Sequence, residues 1–196
     1  VSESNLQEDP RDDGFYMPGE WSPHSCCWMA WPCRHGFWAD AERTQRAYAE
    51  VANTIARFEP VKMLVPTRKL EAARALLGDH VGIFETAIDD SWARDSGPNF
   101  LVNAAGAIAG STWRFNAWGG KYEPYDQDAR MGSRILEHAG VREYPSALTA
   151  EGGGVTVDGE GTVITTETCF LNPNRNPSWT RAEVEAELCR TLGAEK

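Results

Sequence analysis

Asp90-Ser91-Trp92-Ala93-Arg94-Asp95-Ser96-Gly97-Pro98 is the stretch from which the fold can be read. It follows an apolar run at residues 81–87, read as a strand, and it precedes two short apolar runs, residues 99–103 and 107–113. Those two runs are joined through Ala104, Ala105 and Gly106, a hairpin signal. Two acids, a tryptophan and an arginine therefore crowd one turn between a strand and a hairpin. Carboxylates grip a planar cation through paired, charge-assisted hydrogen bonds, and an aromatic face stacks on it, so a guanidinium group is the natural occupant.

Working outward, the same order of parts recurs. Before the turn, Thr67 is placed to cap a helix whose apolar Leu70, Ala73, Leu76 and Leu77 precede Gly78. After the hairpin comes a loop containing Trp118, Gly119, Gly120 and Tyr122. Asp126 is then placed to cap a helix to His138, closed by Gly140 and followed by a short strand at residues 141–144. The chain next reads Glu151-Gly152-Gly153-Gly154, then Val155-Thr156-Val157, the turn Asp158-Gly159 and a strand at residues 162–166, which is a second hairpin. Both regions run helix, glycine, short strand, acidic turn, hairpin. This is an internal repeat, and a rotational arrangement of its copies would aim Asp95 and Glu151 at a common centre.

The flanks complete the α/β pattern. Tyr48, Val51, Ala52, Ile55 and Phe58 fall at helical spacing within residues 40–58. Residues 61–65 form a buried strand, and Trp28 to Trp31 another. Thr180 and Glu183 make a capping box for a last helix ending near Gly193, after which the repeat calls for a further strand. The run Asn172-Pro173-Asn174-Arg175-Asn176-Pro177 reads as a structural connection into that helix.

Composition narrows the function. With 196 residues and 41% hydrophobic content the chain can bury a core. Residues 1–13 read as a polar tail, disordered over about the first dozen positions, ahead of a folded domain at residues 14–196, which the resemblance given below makes part of a catalytic domain. The tail does not begin with Met and lacks the apolar core of a signal peptide, so the chain is expected to be processed or a piece of something longer. No apolar run approaches the roughly 20 residues a membrane-spanning helix needs. A formal charge of −10 repels phosphate backbones and favours a basic small molecule or peptide. Five cysteines without regular spacing fit a reducing, cytoplasmic setting.

Several motifs together resemble the agmatine deiminase family, relatives of bacterial-type peptidylarginine deiminases in the pentein superfamily. The resemblance runs through Met17-Pro18-Gly19-Glu20-Trp21, Trp28-Met29-Ala30-Trp31-Pro32, the segment from Asp90 to Pro98, Arg114-Phe115-Asn116-Ala117-Trp118-Gly119-Gly120, Glu151-Gly152-Gly153 and Leu171 through Pro177. It implies a pentein-type α/β propeller of five pseudo-repeats, about half of whose blades would be present here. It also implies hydrolysis of agmatine to N-carbamoylputrescine and ammonia, without metal or organic cofactor. Carried onto this chain, it makes Asp95 the guanidinium-binding aspartate, Trp92 the tryptophan beside the substrate, and Glu151 a member of the catalytic constellation. Asp90 is assigned to substrate binding on the same basis, or to shaping the turn by bonding backbone amides.

The family's catalytic histidine and nucleophilic cysteine belong to motifs that do not occur in these 196 residues. The chain thus reads as an N-terminal portion, inactive by itself, that carries the clamp without the nucleophile. An incomplete propeller leaves strand edges open, so association into homo-oligomers is expected. A peptidylarginine substrate and a non-catalytic guanidinium-binding scaffold are the alternatives. Cys169, at the end of a strand with acid nearby, reads as a structural thiol rather than a replacement nucleophile. His24, Cys26, Cys27, Cys33 and His35 cluster in sequence as metal ligands do, but adjacent cysteines rarely share an ion and no CxxC pair occurs. The window therefore reads as strand, not as a metal site.

Overall fold

The computed structural model describes residues 8–196 as two compact units, Pro23–Ala93 with Tyr122–Met131, and Arg94–Lys121 with Gly132–Lys196 and the N-terminal segment through Ser22. The first is built on three parallel strands, β1 (Cys27–Ala30), β2 (Val61–Val65) and β3 (Val81–Glu85), in the order β1-β2-β3. Parallel neighbours need crossovers, and helices α1 (Ala41–Ile55) and α2 (Leu70–Leu76) supply them. The central strand is buried at Val61, Met63, Leu64 and Val65. The helices contribute small residues, with Ala49, Ala52 and Ala73 buried, so their backbones approach closely.

Two local expectations change here. Asp40 caps α1 through the Arg43 amide, but the helix stops at Ile55, so Phe58 leaves the apolar stripe and is 82% exposed. Thr67 makes no cap. It opens a 3-10 turn, and its hydroxyl donates to Glu85.

The second unit holds β4 (Asn99–Val102) and β5 (Ile108–Arg114) as an antiparallel hairpin, preceded by the single turn α3 (Ala93–Ser96). Helix α4 (Met131–Ala139) then leads to β6 (Arg142–Thr149), parallel to β5. A side chain at Gly110 would overlap Leu136 of α4, so glycine is what allows this helix to pack on the sheet. A second antiparallel hairpin, β7 (Val155–Val157) and β8 (Val163–Thr165), is followed by the short turn α5 (Glu167–Phe170) and by α6 (Arg181–Leu192). Leu148, Val155, Val157, Phe170, Val184, Leu188 and Leu192 form their common core.

α6 carries the full capping box of Thr180 and Glu183 and ends on left-handed Gly193. Beyond it, Val163 donates to Lys196 O and Glu195 donates to Gly161 O. Residues 195–196 thereby begin to pair along β8, as β6 pairs along β5. The repeat is thus hairpin, helix, strand, and in chain order each acidic turn follows the last strand of one copy and precedes the first strand of the next. The pairing forms three separate open sheets among the described residues.

Residues 8–13 are docked rather than free. The Glu8 carbonyl accepts from Arg190, and Asp13 accepts from Tyr144 and Arg142. The disorder expected over the first dozen positions does not extend to them, and the earlier positions of that tail lie outside the described residues.

Candidate functional site

Asp90 and Trp92 belong to the parallel-sheet unit, and Asp95 and Glu151 to the other. In the first, Asp90 is 1% exposed. One carboxylate oxygen accepts from Arg34 Nε at 2.8 Å and the other from the Ser91 amide at 2.8 Å. Arg34 is itself held by the carbonyls of Glu123 and Pro124. Of the two roles open to Asp90, this geometry fits the shaping of the turn, because both oxygens are engaged within the fold. Asp128 supports the same loop from below: its Oδ1 accepts from the amides of Asp89 and Asp90. Burial pushes Asp128 up to about 6, even though those two amides pull it down.

Trp92 is half-buried and stacks on Trp38, with centroids 6.1 Å apart and planes 27° apart. Trp38 also meets Tyr48 and Phe37 edge-on, so the indole of Trp92 belongs to an aromatic cluster. Such a cluster holds a flat face in place at little entropic cost.

In the second unit the turn and the triglycine segment come together. The Gly153 amide donates to Asp95 Oδ1 at 3.1 Å, and Trp118 Nε1 donates to Asp95 Oδ2 at 3.2 Å. A Cβ on Gly152 would overlap the Arg94 carbonyl, and one on Gly153 would overlap Asp95 Oδ1. The glycines are therefore what lets the two acidic turns touch. A carboxylate has roughly four acceptor positions. With one donor on each oxygen, partly exposed Asp95 keeps capacity for a paired grip on a planar cation. The neighbouring Arg94 pairs with Glu20 at 2.6 Å.

Glu151 is only 6% exposed. Its Oε1 accepts from Arg175 Nε at 2.7 Å. Burial raises its pKa, the charge of Asp95 adds to that rise, and Arg175 opposes it. A carboxyl of raised pKa next to a second acid is a common arrangement where protons are to be handled.

Trp118 and Arg175 are the partners of the candidate acids that sequence reasoning missed. Trp118 sits in a left-handed turn at residues 117–120, where Ala117 has φ 52° and Trp118 φ 57°. Left-handed backbone costs a non-glycine residue about 1–2 kcal/mol. Here it aims the indole N–H at Asp95. Arg175 lies in the asparagine-proline run, which is more than a connection: Asn176 bonds both backbone groups of Thr149, and Asn116 donates to Asn174 O. An arginine flanked by asparagines and prolines was the available signal for it.

Three of the five thiols are poor nucleophile candidates. Burial pushes Cys27 and Cys33 up to about 12 and raises Cys189 as well, whereas attack needs a thiolate. Cys169 Sγ accepts from the Thr166 hydroxyl. The sequence cluster of His24, Cys26, Cys27, Cys33 and His35 does not converge. Cys33 donates to Ile88 O, while His24 and Cys27 meet Glu59, from which α1 separates them in sequence.

Open sheets of parallel and hairpin strands joined by helices, with an acidic turn in the chain between one sheet and the next, make this an α/β protein. Its closeness to an agmatine deiminase structure from Enterococcus faecalis is a TM-score of 0.94 at 39% identity, covering 97% of this chain and 54% of that one. The Porphyromonas-type peptidyl-arginine deiminase family matches residues 16–196, and the chain belongs to that family. Agmatine deiminases of Pseudomonas fluorescens and Ectopseudomonas mendocina are 46% and 45% identical to it, covering 98% and 94% of this chain. The chain spans about half the length of these relatives, 54% and 52%.

Proposed function

We propose that this chain supplies the guanidinium clamp of an agmatine deiminase. Asp95 grips the guanidinium nitrogens, Trp92 flanks the substrate, and Glu151 handles protons. The reading rests on one observation above others: Asp95 is oriented by Gly153 and Trp118 and still keeps acceptor capacity. The reaction adds water to the guanidinium carbon and releases ammonia, leaving N-carbamoylputrescine. The attacking cysteine thiolate and the histidine that relays protons lie, on this reading, outside the 196 residues. Asp90 orders the turn and does not touch substrate. The relatives' names support agmatine, while the family's description favours a peptidyl-arginine substrate as the second reading.

The test is calorimetric titration of the chain with agmatine and with a blocked arginine peptide, together with an assay for ammonia release. Agmatine should bind, the peptide should not compete, and no turnover should occur. Asp95→Asn should weaken agmatine by about 10- to 100-fold, the worth of one charge-assisted hydrogen bond, without unfolding the chain. Equal affinity in the variant would remove Asp95 from the clamp, and turnover by the chain alone would overturn its division of labour.

A further inference from the structure

At the edge where β1 and β2 begin, three side chains of different chemistry converge. Glu59 Oε1 accepts from Cys27 Sγ at 2.9 Å, and Glu59 Oε2 lies 3.1 Å from His24 Nδ1. One sulfur, one imidazole nitrogen and one carboxylate oxygen all lie within 4.8 Å of one another. The sheet positions two of them. The Cys27 amide donates to Pro60 O, and Cys27 is in register with Val61, so Cys27 opens β1 beside the segment in which Glu59 lies two residues ahead of β2. His24 precedes Cys27 with the two-residue spacing found among zinc ligands, on the loop leading into β1.

We propose that His24, Cys27 and Glu59 form a binding site for a thiophilic divalent cation of the zinc class, which closes the loop before β1 onto the entry to β2. The donor set is mixed nitrogen, sulfur and oxygen, which suits zinc and disfavours magnesium and calcium, whose sites are built of oxygens. Bond lengths of about 2.3 Å to sulfur and about 2.0–2.1 Å to nitrogen and oxygen place tetrahedral ligands roughly 3.3–3.6 Å apart. Cys27 and Glu59 need to separate by about half an ångström, and His24, half-exposed on its loop, swings inward. Water fills the fourth position.

The protons balance simply. Cys27 gives up its thiol proton to solvent, and His24 carries its single proton on Nε2 so that Nδ1 can ligate. Glu59 binds as the carboxylate, and one proton leaves per ion. Without metal, burial and the Glu59 carboxylate hold the Cys27 thiol up at about 12. The cation replaces the thiol proton that Glu59 otherwise accepts, and relieves the repulsion between thiolate and carboxylate.

The site is tested on the whole chain with Co2+ as the probe and Zn2+ as competitor. One Co2+ should bind per chain with a thiolate-to-cobalt charge-transfer band, release one proton, and be displaced by equimolar Zn2+ but not by excess Mg2+. Cys27→Ser should abolish the band, and Cys26→Ser should leave it unchanged. His24→Gln, on a loop where folding is not at stake, should lower affinity at least about tenfold. Zn2+ should raise the melting temperature of the parent chain and not of Cys27→Ser. No band at equimolar Co2+, a band that survives Cys27→Ser, or unchanged affinity in His24→Gln would each overturn the assignment.

Discussion

At the scale of single residues, the pair of Glu151 and Arg175 shows how the fold controls its acids. Both side chains are about nine-tenths buried and meet at 2.7 Å. Removing one member of such a pair strands the other charge, which costs about 3–5 kcal/mol, far more than the pair contributes when intact. Arg175→Met should therefore lower stability by roughly 3 kcal/mol in urea unfolding and raise the Glu151 pKa further, visible as a carboxyl titration moved to higher pH by NMR. The double variant Arg175→Met with Glu151→Gln should recover part of the loss, because no unpaired charge remains. A single variant as stable as the parent would mean that water already reaches Glu151.

At the scale of elements, the left-handed turn at residues 117–120 links backbone strain to the clamp. Gly119 has φ 88°, and a side chain there would overlap Asn174 and Arg175. Gly119→Ala combines an unfavourable dihedral with that overlap, so a loss of about 2 kcal/mol or more is expected by chemical denaturation. Because the turn aims Trp118 at Asp95, agmatine affinity should fall as well. A Thr180→Ala variant serves as the contrast. It removes a helix cap, should cost about 1 kcal/mol, and should leave agmatine affinity untouched. Equal binding losses in both would show that affinity follows global stability rather than the turn.

At the scale of the whole molecule, stability should depend on pH through Asp128. Its folded pKa of about 6 lies above the ordinary value of 3.8. Between these values the folded state holds a proton that the unfolded state has lost, so Asp128 makes stability fall as pH rises through this window. A difference of about two units corresponds to at most about 3 kcal/mol. Asp128→Asn keeps an oxygen for the amides of Asp89 and Asp90 and cannot ionise. Melting from pH 4 to pH 7 should show the parent losing stability relative to the variant as pH rises. Parallel curves would assign the window to other groups.

Much of this was legible in the chain itself. The helices, the hairpins, the capping box of α6 and the acidic turns follow from periodicity, turn residues and caps, which act over a few positions and are written locally. Membership in the deiminase family follows from ordered motifs of the same kind. The partners were decided only by tertiary structure: Arg34 on Asp90, Trp118 on Asp95, Arg175 on Glu151 and Glu59 on Cys27. These contacts join residues 23 to 56 positions apart. Charge and hydrogen-bond chemistry say that a buried acid must find a donor, but only the paired strands and the close approach allowed by Gly152 and Gly153 select which donor it finds.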